Sequence, residues 1–217
     1  MKQYEIYVGG YGSGKTELSL NAAVGWARQG RRVALVDLDI VNPYFRSMEH
    51  ADMLRAEGVR VLGPTFANTT LDVPSLPAEI YSVFDTDEDV IFDVGGDPVG
   101  AAALGRFAKL LGDAPVYMVV NVRRPLTGTP QDIAEMARTI QLRSHLPLRG
   151  LINNANMGPE TAATDLIEGQ GILRQAGEML NLPVVRVTGL PGVLAGLPEE
   201  LRALATPIGL YTRPDWL

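Results

Sequence analysis

The sequence predicts an α/β fold: a doubly wound, mainly parallel sheet with helices on both faces, in a three-layer, Rossmann-like arrangement. Three observations lead to this prediction. Short apolar runs that are typical of buried strands alternate with segments of helical periodicity along the chain. A glycine-rich stretch joins the first apolar run to the first helical segment, as expected for a loop that binds phosphate. Acidic residues follow two further apolar runs, at the edge where such sheets bind ligands.

The glycine-rich stretch is the phosphate-loop pattern G-x-x-x-x-G-K-[ST], which residues 9–16 match at every fixed position. An apolar run, Tyr4 to Val8, precedes it, and a helical pattern from Lys15 to about Gln29 follows it. Glycines let backbone N–H groups approach a triphosphate, and the helix N-terminus adds its dipole. Lys15 would reach the β- and γ-phosphates, and the Thr16 hydroxyl would ligate Mg²⁺. The predicted nucleotide-binding residues here are Gly10, Tyr11, Gly12, Ser13, Gly14, Lys15, Thr16 and Glu17.

Composition limits the class of protein. The 217 residues suffice for one sizeable core and contain no linker, so we predict a single nucleotide-binding domain over 1–217. The net charge of −6 argues against nucleic acid as the main partner. There is no cysteine, which excludes disulfides and thiolate metal sites, and no apolar run approaches the roughly 20 residues of a membrane span. The first strand begins almost at the N-terminus without a signal peptide, so a cytoplasmic protein is expected.

The rest of the chain alternates between strand and helix patterns. Asp97 and Thr129, each followed by proline, are placed to begin helices. Residues 63–77 are irregular, and a loop of that length is usually functional or mobile. Gly169 and Gly171 are expected to interrupt or loosen their helix. Strands are predicted at Arg32–Val36, Val59–Leu62, Asp89–Phe92, Pro115–Val122, Leu148–Asn153 and, as the last strand, Val184–Val187; helices are predicted at 43–57, from 98, from 130, at 164–180 and at 198–204.

Three aspartates lie at predicted strand ends. Asp93 follows the apolar run Val-Ile-Phe, which is typical of an aspartate that holds Mg²⁺, often through a water. Gly96, three residues later, could offer its N–H to a γ-phosphate. Asp37 and Asp39 are two residues apart and point the same way in an extended segment. Asp39 is therefore a candidate to orient or deprotonate water, or to hold Mg²⁺ through its waters.

The phosphate loop, Val-Asp-Leu-Asp after the second strand and the later Asp-x-x-Gly together resemble the MinD/ParA/ArsA-type P-loop ATPases, a group that includes dethiobiotin synthetase and the CobB/CobQ enzymes. The resemblance implies that Asp39 positions the attacking water. It also implies an adenine contact from Asn154, four residues after Gly150. The loop after the last strand would pack on the base, which here brings in Pro191.

Two positions depart from that group. Gly10 replaces a signature lysine that, in ParA-type members, reaches across a homodimer interface, and Glu17 replaces a frequent second hydroxyl. A cation could be supplied instead by Arg46, Arg123 or Arg124. The guanine motif Asn-Lys-x-Asp is absent, because residues 153–156 read Asn-Asn-Ala-Asn. We therefore expect ATP rather than GTP.

Two functions stay open at this stage. One is a Mg²⁺-dependent ATPase that acts as a switch on an unidentified protein partner. The other is an ATP-dependent small-molecule kinase or ligase of the dethiobiotin synthetase or CobB/CobQ type, with its substrate near residues 63–77. The Asp-x-Asp segment favours the switch. Kinship also suggests a metal-insertion chaperone, but without cysteine the usual metal site is missing.

Overall fold

The computed structural model describes residues 2–39, 47–64 and 77–212. Arg46 and most of the irregular stretch at 63–77 therefore lie outside the described residues. The functional interpretations placed on them stay predictions.

The described part of the chain contains eight strands in one sheet, and every paired neighbour runs parallel. The spatial order is β3-β2-β4-β1-β5-β6-β7-β8, so the later strands lie on both sides of β1 in the sheet. This order confirms the doubly wound α/β fold. The strands are β1 Tyr4–Val8, β2 Val33–Leu38, β3 Val59–Leu62, β4 Asp89–Val94, β5 Val116–Val120, β6 Leu148–Asn153, β7 Val184–Gly189 and β8 Ala205–Pro207.

Helices cover both faces of this sheet. Neighbouring residues of one strand enter opposite apolar layers: Tyr7 packs with Leu20 of the first helix, and Ile6 packs with Leu104 and Ile133 on the other side. Each central strand is buried on both faces, which explains its nearly continuous apolar sequence. The helices are α1 Lys15–Arg28, α2 Ala51–Ala56, α3 Pro98–Gly105, α4 Ala108–Leu111, α5 Pro130–Ser144, α6 Ala163–Leu180, α7 Pro191–Leu194 and α8 Glu199–Arg202; short 3-10 helices lie at Ser47–His50, Ala78–Phe84, Pro125–Thr127 and Gly158–Glu160.

Several predicted elements need correction. The last strand is the three-residue β8, not β7, and it precedes a segment that returns to α1. The helix predicted at 164–180 is continuous through Gly169 and Gly171. Gly169 allows close packing, since a Cβ atom at this position would lie 2.8 Å from the Cβ atom of Ala155. In the described part of the predicted helix 43–57, a 3-10 helix precedes α2.

The sheet register places the acidic strand ends side by side. Asp37 of β2 is paired with Asp93 of β4, and β4 is the direct neighbour of β1. The phosphate-loop residues follow β1 at the same carboxyl edge, beside the point where strand order reverses. This is where doubly wound sheets bind their ligands.

Candidate functional site

The loop between β1 and α1 has the backbone shape that its glycines allow. Gly14 is the N-cap of α1 with φ 90°, a left-handed conformation that disfavours residues with a side chain. A Cβ on Gly14 would lie 2.1 Å from Nδ2 of Asn154. The helix begins directly afterwards, with the N–H of Leu18 donating to the Gly14 carbonyl at 3.0 Å. The loop thus ends at a helix N-terminus, where unpaired N–H groups favour an anion.

Lys15 lies inside the loop, and its side chain is only 7% exposed. Its Nζ donates to the Gly10 carbonyl at 2.9 Å. Lys15 is therefore enclosed by the protein and not exposed on a surface loop. Burial lowers the pKa of Lys15, while the negative charges of Asp93 and Asp39 oppose that shift. An ammonium group in this position gains most from a bound anion, since little water solvates it.

Asp93 is the buried acid beside this lysine. The Ser47 hydroxyl donates to its Oδ2 at 2.6 Å, and the Thr16 side chain is also hydrogen-bonded to the carboxyl group. Burial raises the pKa of Asp93, and the bonds to Ser47 and the charge of Lys15 act against this. The Oδ1 atom is buried and has no hydrogen-bond partner among the described residues.

These oxygens fit Mg²⁺. The orphaned Asp93 oxygen and the neighbouring Thr16 hydroxyl are hard donors of the kind that Mg²⁺ prefers. Within 2–39, 47–64 and 77–212 no group of three or more acidic, histidine or cysteine side chains forms a self-sufficient metal site. The remaining ligands would be phosphate oxygens and water, as is usual for Mg²⁺ at nucleotide sites.

Asp39 lies at the end of β2, facing the same space. Its backbone N–H donates to Asp37 Oδ1 at 2.9 Å. Its own Oδ1 is 3.2 Å from where a Cβ would stand on Gly95. Gly96 is equally close to the phosphate loop, since its Cβ would be 2.7 Å from the Tyr11 nitrogen. The segment after β4 therefore touches both Asp39 and the phosphate loop.

One cavity of about 730 Å³ collects most of these groups. The predicted nucleotide residues that line it come from the phosphate loop and from two strand ends, whereas Gly10, Ser13, Asp93 and Pro191 are not in its lining. Its lining residues among those described are Tyr11, Gly12, Gly14, Lys15, Thr16, Glu17, Asp39, Gly96, Asn121, Arg123, Arg124, Asn154, Asn156, Met157, Gly158, Pro159, Ile208, Leu210 and Thr212.

Asn154 connects the end of β6 to the phosphate loop. Its Nδ2 donates to the Ser13 carbonyl at 2.7 Å, and its Oδ1 accepts from the Thr188 hydroxyl at 2.8 Å. The side chain is buried and lines the cavity. In this structure its amide holds the loop, and the adenine contact stays a prediction.

The candidate arginines differ in what they contact. Arg123 forms ion pairs with Asp165 and Glu168 of α6 at 2.5 and 2.6 Å, and it also lines the cavity. Arg124 donates from Nε to the Gly12 carbonyl at 3.1 Å and lines the cavity as well. Of these two candidate arginines, Arg124 is the one that donates a hydrogen bond to the phosphate loop.

Comparison with known proteins supports the nucleotide-binding architecture. No family model matches the sequence. Among solved structures, FtsY from Mycoplasma mycoides has a TM-score of 0.58 at 17% identity, covering 87% of this chain and 60% of its own. The Signal Recognition Particle 54 kDa protein from Aeropyrum pernix K1, in complex with GDP, has a TM-score of 0.57 at 17% identity, covering 86% and 41%. The chain has the P-loop NTPase fold.

Two curated proteins are similar in sequence to this chain, and both are iron-sulfur cluster carrier proteins. That of Haemophilus influenzae is 27% identical over 217 residues, covering 88% of this chain and 54% of the relative. That of Deinococcus radiodurans is 28% identical over 233 residues, covering 89% and 63%. The chain thus spans between about half and two thirds of the length of these relatives. No helix in the described ranges is long and apolar enough to cross a membrane.

Part of the cavity lining comes from residues that the sequence did not predict as site residues. Ile208, Leu210 and Thr212, after β8, line the cavity where Pro191 was expected. Pro191 instead begins the exposed helix α7. Glu17, predicted near the phosphates, accepts hydrogen bonds from the N–H groups of Tyr211 and Thr212 at 2.6 and 3.0 Å. No local sequence pattern predicts this contact, because Glu17 and its partners are separated by 194 and 195 positions in the chain.

Proposed function

We propose that this P-loop NTPase binds ATP with Mg²⁺, hydrolyses it, and uses the cycle as a switch on a protein partner. The observation that supports this most directly is the presence of Lys15, Thr16 and Asp39 in the lining of one cavity, with Asp93 hydrogen-bonded to the Thr16 side chain. Each group matches one requirement of phosphoryl transfer: a cation for the phosphates, a carboxylate for water and oxygen donors for Mg²⁺.

The reaction assigns a task to each residue. Loop N–H groups and Lys15 hold the β- and γ-phosphates. Thr16 and Asp93 would hold Mg²⁺, which neutralises phosphate charge when bound. Asp39 orients a water whose oxygen bonds to the γ-phosphorus while the bond to the β–γ bridging oxygen breaks. The products are ADP and inorganic phosphate, with the water's protons passing to the phosphate, Asp39 or solvent.

Arg124 is proposed to replace the missing signature lysine from within the same chain. Gly10 cannot supply a cation, whereas Arg124 already contacts Gly12 at the cavity wall. An arginine beside transferring phosphate stabilises the negative charge of the transition state. Activity would then not depend on a lysine donated by a second subunit.

A switch needs a structural element that senses the phosphates. Ser47 begins the segment that leads into α2, and its hydroxyl is bonded to Asp93. A change in what Asp93 binds therefore reaches the 47–56 segment directly. Gly96 and Tyr11 form a second such contact at the phosphate loop. We propose these segments as the parts that respond to the γ-phosphate.

A small-molecule kinase or ligase is the second candidate, because another cavity adjoins the phosphate loop. It has a volume of about 360 Å³ and is lined by Gly9, Gly96, Ala101, Met136 and Ile140 among others. The two cavities share Gly96 in their linings. Gly63, Pro64 and Pro77, the described part of the predicted substrate stretch, do not line this smaller cavity.

Carriage of an iron–sulfur cluster, the role named for the two relatives, is not proposed from these residues. Such clusters are held by cysteine thiolates, and the 217 residues contain none.

Turnover measurements separate these functions. The protein is incubated with MgATP alone, and phosphate release is followed under single-turnover conditions. Release of phosphate without an added substrate supports the ATPase, while retention of intact ATP with tight binding favours the kinase or ligase. Competition between ATP and GTP tests the base, and equal or tighter binding of GTP would overturn the assignment to ATP.

A further inference from the structure

Residues 208–212 form a segment that we call the C-terminal strap: Ile208, Gly209, Leu210, Tyr211 and Thr212. It leaves β8, the last strand of the sheet, and crosses back to the first two turns of α1. Two side chains of that helix hold it by their polar atoms. The strap therefore joins the far edge of the sheet to the residues next to the phosphate loop.

Asn21 makes the first attachment. Its Nδ2 donates to the Gly209 carbonyl at 3.0 Å, and its Oδ1 accepts from the Gly209 N–H at 2.7 Å. The Asn21 side-chain amide thus pairs with the N–H and C=O of Gly209 in the way that a backbone amide of a neighbouring strand would. It fixes both the position and the direction of the strap.

Glu17 makes the second attachment, and this residue is 7% exposed. Oε1 accepts from the Tyr211 N–H at 2.6 Å, and Oε2 accepts from the Thr212 N–H at 3.0 Å and from the Thr212 hydroxyl at 2.6 Å. Asn21 Nδ2 also donates to Oε1 at 3.3 Å, so three of the four donors to this carboxylate come from the strap.

The strap faces the cavity with an apolar surface. Ile208 and Leu210 line one wall, and Met157 and Pro159 after β6 also line the cavity. The loop residues that suit phosphate, around Lys15, line the same cavity. A planar aromatic ring fits between apolar side chains, while the triphosphate does not.

We propose that the C-terminal strap is the nucleobase wall of this site and that Glu17 is a positioning residue which holds it in place. The inference rests on the proposed nucleotide binding and assigns the base end of the same cavity. It replaces the expected base contact of Pro191 with Ile208 and Leu210. It also gives Glu17, adjacent to Thr16, the task of linking the phosphate end to the base end.

The proposal predicts that base binding and phosphate binding separate on substitution. Glu17→Gln keeps the shape of the side chain but turns an NH₂ group toward a backbone N–H, so the strap loses an attachment. Leu210→Ala removes wall surface without touching Glu17. Leu110→Ala is the matched control, since Leu110 is an exposed leucine of α4 and does not line the cavity.

Titration calorimetry with MgATP and with Mg²⁺–tripolyphosphate, which has no base, tests this for the wild type and the three variants. Glu17→Gln and Leu210→Ala are expected to weaken ATP binding about tenfold or more and to leave tripolyphosphate binding within about twofold, and Leu110→Ala to change neither. Equal losses for both ligands in Glu17→Gln, or unchanged ATP affinity in Leu210→Ala, would overturn the proposal. If the wild type bound tripolyphosphate but gained nothing from the base, only this proposal would fail; if it bound neither ligand, the proposed function would fail as well.

Discussion

The side-chain amide of Asn154 donates a 2.7 Å hydrogen bond to the backbone carbonyl of Ser13, which ties strand β6 to the phosphate loop. The same amide is held from the other side by the Thr188 hydroxyl of β7. Three strand ends, those of β1, β6 and β7, are thus linked through one buried side chain. The shape of the phosphate loop depends on a residue 141 positions away in sequence.

Replacement of Asn154 by alanine should therefore damage the loop. The variant leaves the Ser13 carbonyl and the Thr188 hydroxyl without this partner, a loss of roughly 1–3 kcal/mol for buried polar groups. ATP affinity should fall as well, because the loop is less well ordered before binding. Urea unfolding measures the first effect, and calorimetry the second.

Thr188→Val provides the matched comparison for Asn154. It removes only the hydroxyl that holds Asn154 Oδ1 and keeps the bond to Ser13. We expect a smaller loss of stability and nearly normal ATP binding. If Thr188→Val and Asn154→Ala had equal effects on ATP affinity, the bond to Ser13 would not be what matters for the loop.

Replacement of Lys15 by methionine should abolish MgATP binding in a folded protein. Methionine keeps the apolar stem but not the charge that the phosphates need. The buried ammonium is poorly solvated, as its lowered pKa indicates, so its removal is not expected to unfold the chain. Circular dichroism checks the fold, and calorimetry checks the binding.

Lys109→Met is the control, since Lys109 is an exposed lysine of α4. It should bind MgATP like the wild type. Unchanged affinity in Lys15→Met would contradict the assignment of the cavity to nucleotide phosphates.

The fold was predictable because short, contiguous stretches of sequence indicate its main elements. Apolar runs marked the central strands, and the phosphate-loop pattern marked the turn from β1 into α1. The three-residue strand β8 has no such signal, since Ala-Thr-Pro is too short for a period and ends in proline. Its place in the sheet is set by pairing with β7, which no pattern within the segment reveals.

The phosphate-loop residues of the cavity lining were predictable for the same reason, and the lining residues after β8 were not. Lys15 and Thr16 follow from a motif of eight residues. Glu17 and Thr212 are 195 positions apart, so only the folded chain shows that one binds the other. The burial of Lys15 was also missed, because a motif states which residues are present and says nothing of how deeply they are enclosed.

The Glu88–Arg60 pair predicts a pH dependence of stability away from the site. Glu88 accepts hydrogen bonds from Arg60 and from the Thr86 hydroxyl, and its bond to Arg60 lowers its pKa. A lowered carboxyl pKa stabilises the fold above the ordinary value near 4.5, and this stabilisation is lost as the pH falls through the lowered value.

Glu88→Gln should therefore be less stable than the wild type at pH 7, by roughly 1–3 kcal/mol as expected for a hydrogen-bonded charged pair. The difference should shrink as the pH falls below 4.5 and through the lowered pKa of Glu88, where the wild type takes up a proton. Urea unfolding of both proteins between pH 3 and pH 7 measures this. A difference that stayed constant over that range would show that the charge of Glu88 contributes nothing.

Asp39 and Asp93 lie on neighbouring strands, and their substitution should have different effects. Asp93→Asn removes the carboxylate proposed to hold Mg²⁺, so Mg²⁺-dependent ATP binding should weaken. Asp39 lines the cavity and is assigned to the attacking water, so its loss should act on the chemical step.

Asp39→Asn is accordingly expected to keep ATP affinity within a few-fold and to lower turnover by about a hundredfold or more, the usual size of a general-base loss. Asparagine preserves the shape against Gly95, which keeps the comparison free of packing changes. Hydrolysis is measured in a single turnover with excess protein, which resolves a slow rate. Equal rates for wild type and Asp39→Asn would show that Asp39 is not catalytic, and the water would then have to be positioned by another group at the cavity, with Arg124 as the first residue to test.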